Sequence, residues 1–588
     1  MPRITRVLVL GCAAVALAAC SHQDKNAPLA YVPANTPYLV ANLKPLTDDA
    51  RASLMPASTS SIMRANQVTR LRQMAQMLND EPKNADLAHL IDAFADSMDG
   101  KTYAQMEAEA GINPDGLFAI YGLGLSPVAR GQLSDPAKFH AYVAKLEKAY
   151  GHAFDKSTIG GATYQHAALG DSHLQVIIAT HDKQFVAAVL PVHADKQLRL
   201  ALGVDRPENS VQESGLLKKL ADADGYGPYS IGYLDTTRLP ALITGANDPL
   251  LKALLAAATD KQPTKWNNVL PASCKGDLGR IAARVPLISF GYTKLEPKER
   301  IQQVDVQLAP DIVKAFRNVG TNVPGLGHTA SSNALADVAY ALPITTIRDF
   351  WLNQAEAVKS KPFTCPALTS LNKLAVEAGT YLPRLSMPPL GEWRGMRLVL
   401  DQLDMNDNAK LPSFKARVLI ASQNPSGMMN MAKAMVPALG QLQITDNGEP
   451  VALPDQSTRQ IKFDEPVWVA MSKNALAIGI GQGEKDTLTD MLNAPTGSSG
   501  TLSSSHLDGK LYLKWVAMMK KSAAEAQAKI AAANARDAKA RAKSEAAQAR
   551  LQTNLDAMQA IFKQIKDVSA QARLTDNGLR ITADSHLN

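Results

Sequence analysis

The sequence is poor in cysteine and in aromatic side chains: 4 Cys and 5% Phe, Trp and Tyr in a chain of 588 residues. So few cysteines exclude a small disulfide-built scaffold, and a chain that is 46% hydrophobic has material for a core without one. Its length implies two or more domains. A strong charge of one sign is also missing. The formal net charge is +7, too mild over this length to mark a nucleic-acid partner. After residue 26 no apolar run approaches the ~20 residues that span a bilayer. Motifs of common chemistries are missing too: there is no HExxH, no GxSxG, no CxxC pair and no phosphate loop ending in Lys-Ser/Thr.

What is present begins at the N-terminus. Arg3 and Arg6 precede an apolar run from Val7 to Leu17, and small residues lead to Cys20. That is the shape of a secretory signal. Leu17-Ala18-Ala19-Cys20 resembles the lipobox of bacterial lipoproteins. The resemblance implies removal of residues 1–19, acylation of Cys20 and a tether over residues 20–28. Attachment to a membrane through the lipid then follows, and export argues further against nucleic acid. Ser21, rather than Asp, after the lipidated cysteine implies the periplasmic face of the outer membrane; the inner membrane is the alternative. The opening Leu29-Ala30-Tyr31-Val32-Pro33-Ala34-Asn35-Thr36-Pro37-Tyr38 is similar to that of uncharacterised proteobacterial lipoproteins, which carry no activity to transfer.

Processing leaves Cys274 and Cys365, an even pair in an oxidising compartment, and predicts a disulfide between them. Laid over itself with a shift of about 290 residues, the chain repeats its order of signals. Val40-Ala41 and Pro45-Leu46 correspond to Val338-Ala339 and Pro343-Ile344. Strand pairs close on Ala129-Arg130 and Ala416-Arg417. Asp135-Pro136 and Asn424-Pro425 each open a helix, with the cap and first-position chemistry expected there. Hairpins at 174–189 and 466–480 follow, then strands at Tyr229–Leu234 and Lys510–Trp515, then a final hairpin in which Ile288, Phe290, Tyr292 and Val304, Val306, Leu308 alternate. The second copy ends with a tight turn at Asp576-Asn577-Gly578 before Leu579, Ile581 and Ala583. The expected fold is α+β, with two tandem similar lobes of antiparallel sheet and packed helices: 29–318, a Gly/Pro-marked linker 319–333, and 334–588. An Ala-rich stretch, 518–569, without Pro or Gly reads as a long helix whose middle, between Ala523 and Arg550, reaches into solvent, while the flank with Leu551, Leu555, Met558, Ile561, Phe562 and Ile565 packs.

Three weaker patterns remain in the sequence. Six of the eleven histidines lie between His140 and His193, with Asp171 and Asp182 near His173 and His181, but no spacing fits a ligand set. Gly479-x-Gly481-x-Gly483 follows a strand and precedes a helix, and reads as turn chemistry. Ser370-Leu371-Asn372-Lys373 spells S-x-x-K without its K-T-G partner. No catalytic residue, metal site or cofactor is therefore assigned. The expectation is a non-catalytic envelope protein with a binding or scaffolding surface for an unidentified envelope partner. The alternatives are a carrier or sensor of an apolar ligand in a cleft between the lobes, and a periplasmic hydrolase without a recognised motif.

Overall fold

The computed structural model describes residues 24–54, 57–79, 85–170, 172–261, 270–404, 413–436, 439–454, 465–533 and 538–588. The signal 1–19, Cys20 and Asp171 lie outside them. Mixed α+β architecture is what forms, around one antiparallel sheet of nineteen strands. The first half supplies β1 (Tyr38–Ala41), β2 (Phe118–Leu123), β3 (Ser126–Gln132), β4 (Asp155–Ile159), β5 (Ala162–Ala168), β6 (Leu174–His181), β7 (Gln184–Pro191), β8 (Ile231–Asp235), β9 (Leu287–Leu295) and β10 (Glu299–Gln307). The second half supplies β11 (Ala336–Ala341), β12 (Trp393–Asp404), β13 (Ser413–Ser422), β14 (Val451–Ala452), β15 (Val467–Met471), β16 (Ala475–Ile480), β17 (Thr501–Asp508), β18 (Ile565–Leu574) and β19 (Gly578–Leu587).

Hydrogen-bonded neighbours in the first half run β4-β5-β6-β7-β3-β2-β1-β8-β9-β10. In the second half they run β14-β15-β16-β13-β12-β11-β17-β18-β19. Strand for strand the two orders are the same, β4 being extra. The halves join where β10 pairs antiparallel with β19, over nine residue pairs. An antiparallel pairing of like strands relates the two lobes by a local two-fold axis.

Both lobe cores lie on one face of the sheet. In the first, Leu39, Tyr121, Ile177, Val186 and Ile231 are buried against the helices Asp195–Leu202 and Leu216–Asp224. In the second, Val399, Leu419 and Ala477 pack with Leu488 and Met491 of the helix Lys485–Leu492. On the other face, smaller clusters sit under the outer strands, around Phe139 and Val143 in one lobe and Met429 in the other. The two helices concerned start as the sequence predicts: Asp135 Oδ1 accepts from Ala137 N at 2.9 Å, and Asn424 Oδ1 from Gly427 N at 2.8 Å.

Three expectations change. Residues 319–333 are no loose connector: Val319, Val323 and Leu326 are buried, the last two in the second core. Pro324 bridges Thr496 as Pro33 bridges Ser210, so this segment is the counterpart of the first lobe's opening residues. The second-lobe strand expected at Lys510–Trp515 is instead Thr501–Asp508, and Lys510 onward is helical. A serine-rich strand hides its alternation, while Leu511, Tyr512 and Trp515 imitate one. Finally, the Ala-rich stretch does not form a single rod to residue 569. Helices Gly509–Ala533 and Ala538–Phe562 pack against each other, held by Lys520 with Asp556 and by Tyr512 stacked on Phe562 at 4.8 Å. Residues from Ile565 onward belong to β18.

The lobes also exchange helical contacts. Helix Ala57–Asn79 of the first packs on Ala538–Phe562 of the second. Across the joint, Cys274 and Cys365 form the expected disulfide, with Cα atoms 4.6 Å apart. Asp277, one helical turn on, accepts from Thr364 N, Cys365 N and Thr364 Oγ1 at 2.6, 2.8 and 3.1 Å. Arg280 donates to Lys361 O and stacks over Phe363. Together these donors and the Arg280 guanidinium hold the Asp277 carboxyl below its ordinary pKa, with the Cys365 N–H as the largest cause.

Candidate functional site

Side chains alternate across a sheet, so the strands at the joint, β8 to β10 and β17 to β19, each contribute to two faces. In an antiparallel sheet covered on one face, the apolar positions of an alternating strand ordinarily turn to the core. The structure buries the polar ones instead. Ser289, Gln303 and Asp305 are 2%, 5% and 9% exposed, whereas Phe290, Val304 and Val306 are only partly covered.

On the polar face, Asp305 accepts from Tyr226 Oη at 2.6 Å, Gln303 Nε2 at 2.6 Å and Arg580 Nε at 2.7 Å. Asp224 accepts from Ser289 Oγ at 3.0 Å and lies 3.6 Å from the Arg580 guanidinium. Burial, reinforced by the neighbouring Asp305, pushes the Asp224 carboxyl above its usual range. Burial and the hydrogen bond to Asp305 raise the Tyr226 phenol. Arg580, from β19, thus neutralises acids of the first lobe, and this ionic contact crosses the joint. A second polar group lies further along the same two strands. Glu299 faces His586 across the β10–β19 pair, His586 faces Asp567 on β18, and Asp584 is two residues from His586 on the same face.

On the opposite face, register partners run Val40, Gly232, Phe290, Val304, Ile581 without a break from β1 to β19. A Cβ on Gly232 would meet the Phe290 ring at 2.3 Å, so the glycine lets the ring lie over its strand. Ile120, Ile581, Tyr340 and Leu398 share this face and are between 38% and 49% exposed. Hydrophobic side chains left open on consecutive central strands form a contiguous patch, not the scattered exposure normal on a surface.

The sequence-level candidates distribute unevenly. Cys274 and Cys365 come together; Cys20 is outside the described residues. Among the described residues, none of the histidines from His140 to His193 joins a group of three ligating side chains. His166 meets Ser157, and His181 meets Asp182. Gly481 and Gly483 take positive φ in the turn from β16 into the next helix, which is turn chemistry as expected. The S-x-x-K stretch opens helix Thr369–Tyr381, where Asn372 clamps the backbone of Phe363 through two 2.8 Å hydrogen bonds.

The segment expected to be tether is partly docked. Arg206 donates to Lys25 O at 3.0 Å, to Asn26 Oδ1 at 2.9 Å and to Tyr31 Oη at 2.9 Å, while Gln212 Nε2 reaches Asp24 O at 3.0 Å. Tyr31 lies between the guanidinium groups of Arg130 and Arg206, 3.8 and 3.7 Å from its centroid. Burial and a hydrogen bond to Asp182 push its phenol up to about 12. Among the described residues no carboxylate pairs with the fully buried Arg130, whereas Arg417, matched to it by the repeat, pairs with Asp401 and Glu484.

Sequence reading missed the joint because its partners lie hundreds of positions apart. The available signal was in β10 and β19, where Asp305 and Arg580 put opposite charges at the polar positions of the alternation. Comparison of the chain with protein-family models, with curated proteins and with solved structures finds no match.

Proposed function

We propose that this is a lipid-anchored envelope protein that binds without catalysing a reaction, and that the open apolar face at the joint of its repeats takes an apolar ligand such as a lipid acyl chain. The carrying observation is the inversion at the joint: the polar side chains are buried and the apolar row from Phe290 to Ile581 is left accessible. Apolar area removed from water contributes about 25 cal/mol per Å², so covering this patch is favourable for any apolar partner of fitting shape. Docking of Asp24–Tyr31 on the first lobe supports the anchor reading. A chain from Cys20 to Asp24 spans at most ~14 Å, which would keep the Arg206 and Gln212 surface close to the membrane.

The test is mass spectrometry of organic extracts from protein purified without detergent. A defined lipid should co-purify with the parent chain and be lost from Ile581→Glu and Tyr340→Glu. Clean extracts from a folded parent would overturn the reading. Cys20→Ala should abolish metabolic palmitate labelling and membrane retention, which tests the anchor separately.

A second reading, a protein-docking scaffold, is favoured by one observation. Leu374, Val376, Tyr381, Leu385, Met387 and Leu390 are each at least half exposed along the helical segment that follows the disulfide. Crosslinking in intact envelopes that captured one reproducible partner through this segment would establish it.

A further inference from the structure

Strands β10, β18 and β19 bring together, on the polar face of the joint, a set of side chains whose chemistry the ionic network does not absorb. One ligand atom each from Glu299, Asp584 and His586 lie within 4.8 Å of one another. His586 Nδ1 is 2.7 Å from Asp567 Oδ1. A carboxylate at that nitrogen holds the ring proton on Nδ1 and leaves Nε2 as the free lone pair, the arrangement found behind metal-binding imidazoles. Nε2 faces Asp584 Oδ1 at 3.8 Å, too far for a hydrogen bond and the right spacing for two donors around one ion.

The two-fold relation of the lobes sharpens the point. The turn bond from Glu296 N to Glu299 O corresponds to that from Thr575 N to Gly578 O, which makes Asp305 and Asp584 equivalent positions. Across the pair Asp305 meets Arg580, but Asp584 meets Ile301. Asp584 Oδ1 is consequently buried with no hydrogen-bond partner, an expensive state for a carboxylate oxygen unless a cation supplies the missing contact. Glu299, Asp567 and Asp584 converge near the ammonium of Lys294, which bonds Glu299 at 2.6 Å and reaches Glu296 at 3.5 Å. Burial, together with Glu299 and Asp567, drives the Asp584 carboxyl upward, while His586 and Lys294 pull it down. All four acidic and imidazole groups are partly accessible, so an ion has a route in.

We propose that Glu299, Asp584 and His586 bind a divalent transition metal of the zinc class, with Asp567 positioning the imidazole. One imidazole among carboxylates disfavours calcium and magnesium, which take oxygen ligands, and suits zinc or manganese. Three protein ligands leave a fourth position for water. Glu299 belongs to the first lobe and the other ligands to the second, so the ion would clamp the joint. No sequence motif announces it, because the ligands come from the last strands of the two copies, far apart in the chain. The site lies on the face opposite the apolar patch, so neither proposal depends on the other.

The experiment is isothermal titration of the chelator-stripped full chain with zinc chloride, manganese chloride and calcium chloride, alongside thermal melts. One zinc or manganese should bind per chain and raise the melting temperature, by mass action on the folded state. His586→Gln should abolish the stoichiometric site. Asp567→Asn should weaken it by about 10- to 100-fold, with melts in chelator matching the parent. Glu299→Gln serves if His586→Gln does not fold. Absence of a stoichiometric site, undiminished binding by folded His586→Gln, or equal affinity for calcium and zinc would each overturn the assignment.

Discussion

Replacing Cys274 and Cys365 together by serine tests how the lobes are joined. The bridge closes a loop with a sequence separation of 91, and in the chain-entropy model releasing such a loop in the unfolded state costs about 4–5 kcal/mol of stability. The full amount is expected only where helix Cys274–Ala282 and the segment around Cys365 come free in the same transition. That condition follows from Asp277, which ties the two segments together independently of sulfur. For a cooperative unit the size of one lobe, each kcal/mol corresponds to about 2–4 °C, so the melting midpoint should fall by about 10 °C or more. Urea titration followed by tryptophan fluorescence should show a lower midpoint, with the parent chain in reductant approaching the double variant. A shift below about 1 °C in the variant, with the bridge verified in the parent, would refute the reasoning. It would mean that the two connected segments unfold in separate steps, so the cross-link constrains neither.

Arg580→Met removes the 2.7 Å contact to Asp305 and leaves buried Asp305 beside the partly exposed Asp224 with no cation between them. Since Arg580 is about one-third exposed, the loss should be about 1–3 kcal/mol, below that of a fully buried pair; amide exchange in β10 and β19 should accelerate, and unchanged exchange would contradict the role given to this pair. Acidification should loosen the disulfide joint through Asp277. Its carboxyl is held below the ordinary value in the folded chain, so its stabilisation is present above the unfolded carboxylate pKa of about 4 and is lost as pH falls through the lower folded value. Protection factors around residues 361–372, observed exchange corrected for its intrinsic pH dependence, should therefore fall in acid in the parent, and Asp277→Asn should flatten that dependence; identical profiles would show that other groups control the joint.

How much of this was legible in the sequence depended on the range over which each signal acts. Local chemistry read well: Asp135-Pro136 and Asn424-Pro425 do open helices, and the hairpin turns fall where glycine and polar residues mark them. The repeat was visible because duplicated local signals recur in order. Where propensity and tertiary context disagreed, context prevailed. Ser503, Ser504 and Ser505 form the middle of a strand because β11 and β18 supply its ladder on both sides, while the β-like Leu511-Tyr512-Leu513 is helical once Asp508 Oδ1 accepts from Lys510 N at 2.7 Å. The segment with Pro324, Gly325 and Gly327 reads in sequence as a linker; Gly320, Gly325 and Gly327 all take the left-handed conformation. Their positive φ values instead carry a packed crossing, where a Cβ on Gly325 would meet the Arg397 guanidinium at 2.1 Å. The joint itself could not be read, since periodicity gives alternation but does not say which face will be covered.

That last point bears on why the joint is the place to look for function. β10 and β19 would each be an edge strand of a separate lobe, and an open edge offers unpaired backbone groups to any other strand. Their charged positions make the union selective. Asp305 faces Arg580 only in the register observed, and a two-residue slip would set it against Gly578 or Thr582, neither of them a cation. The polar face must therefore be closed for the lobes to dock, which accounts for its burial without any ligand. Nothing comparable explains the other face, where Phe290, Val304 and Ile581 gain no stability from being left in water. Nor does lobe docking explain Asp584, whose symmetry mate has a cation while it faces Ile301. Once the requirements of assembly are subtracted, an uncovered apolar row and an unpartnered carboxylate oxygen are what remain, and both lie on the same pair of strands.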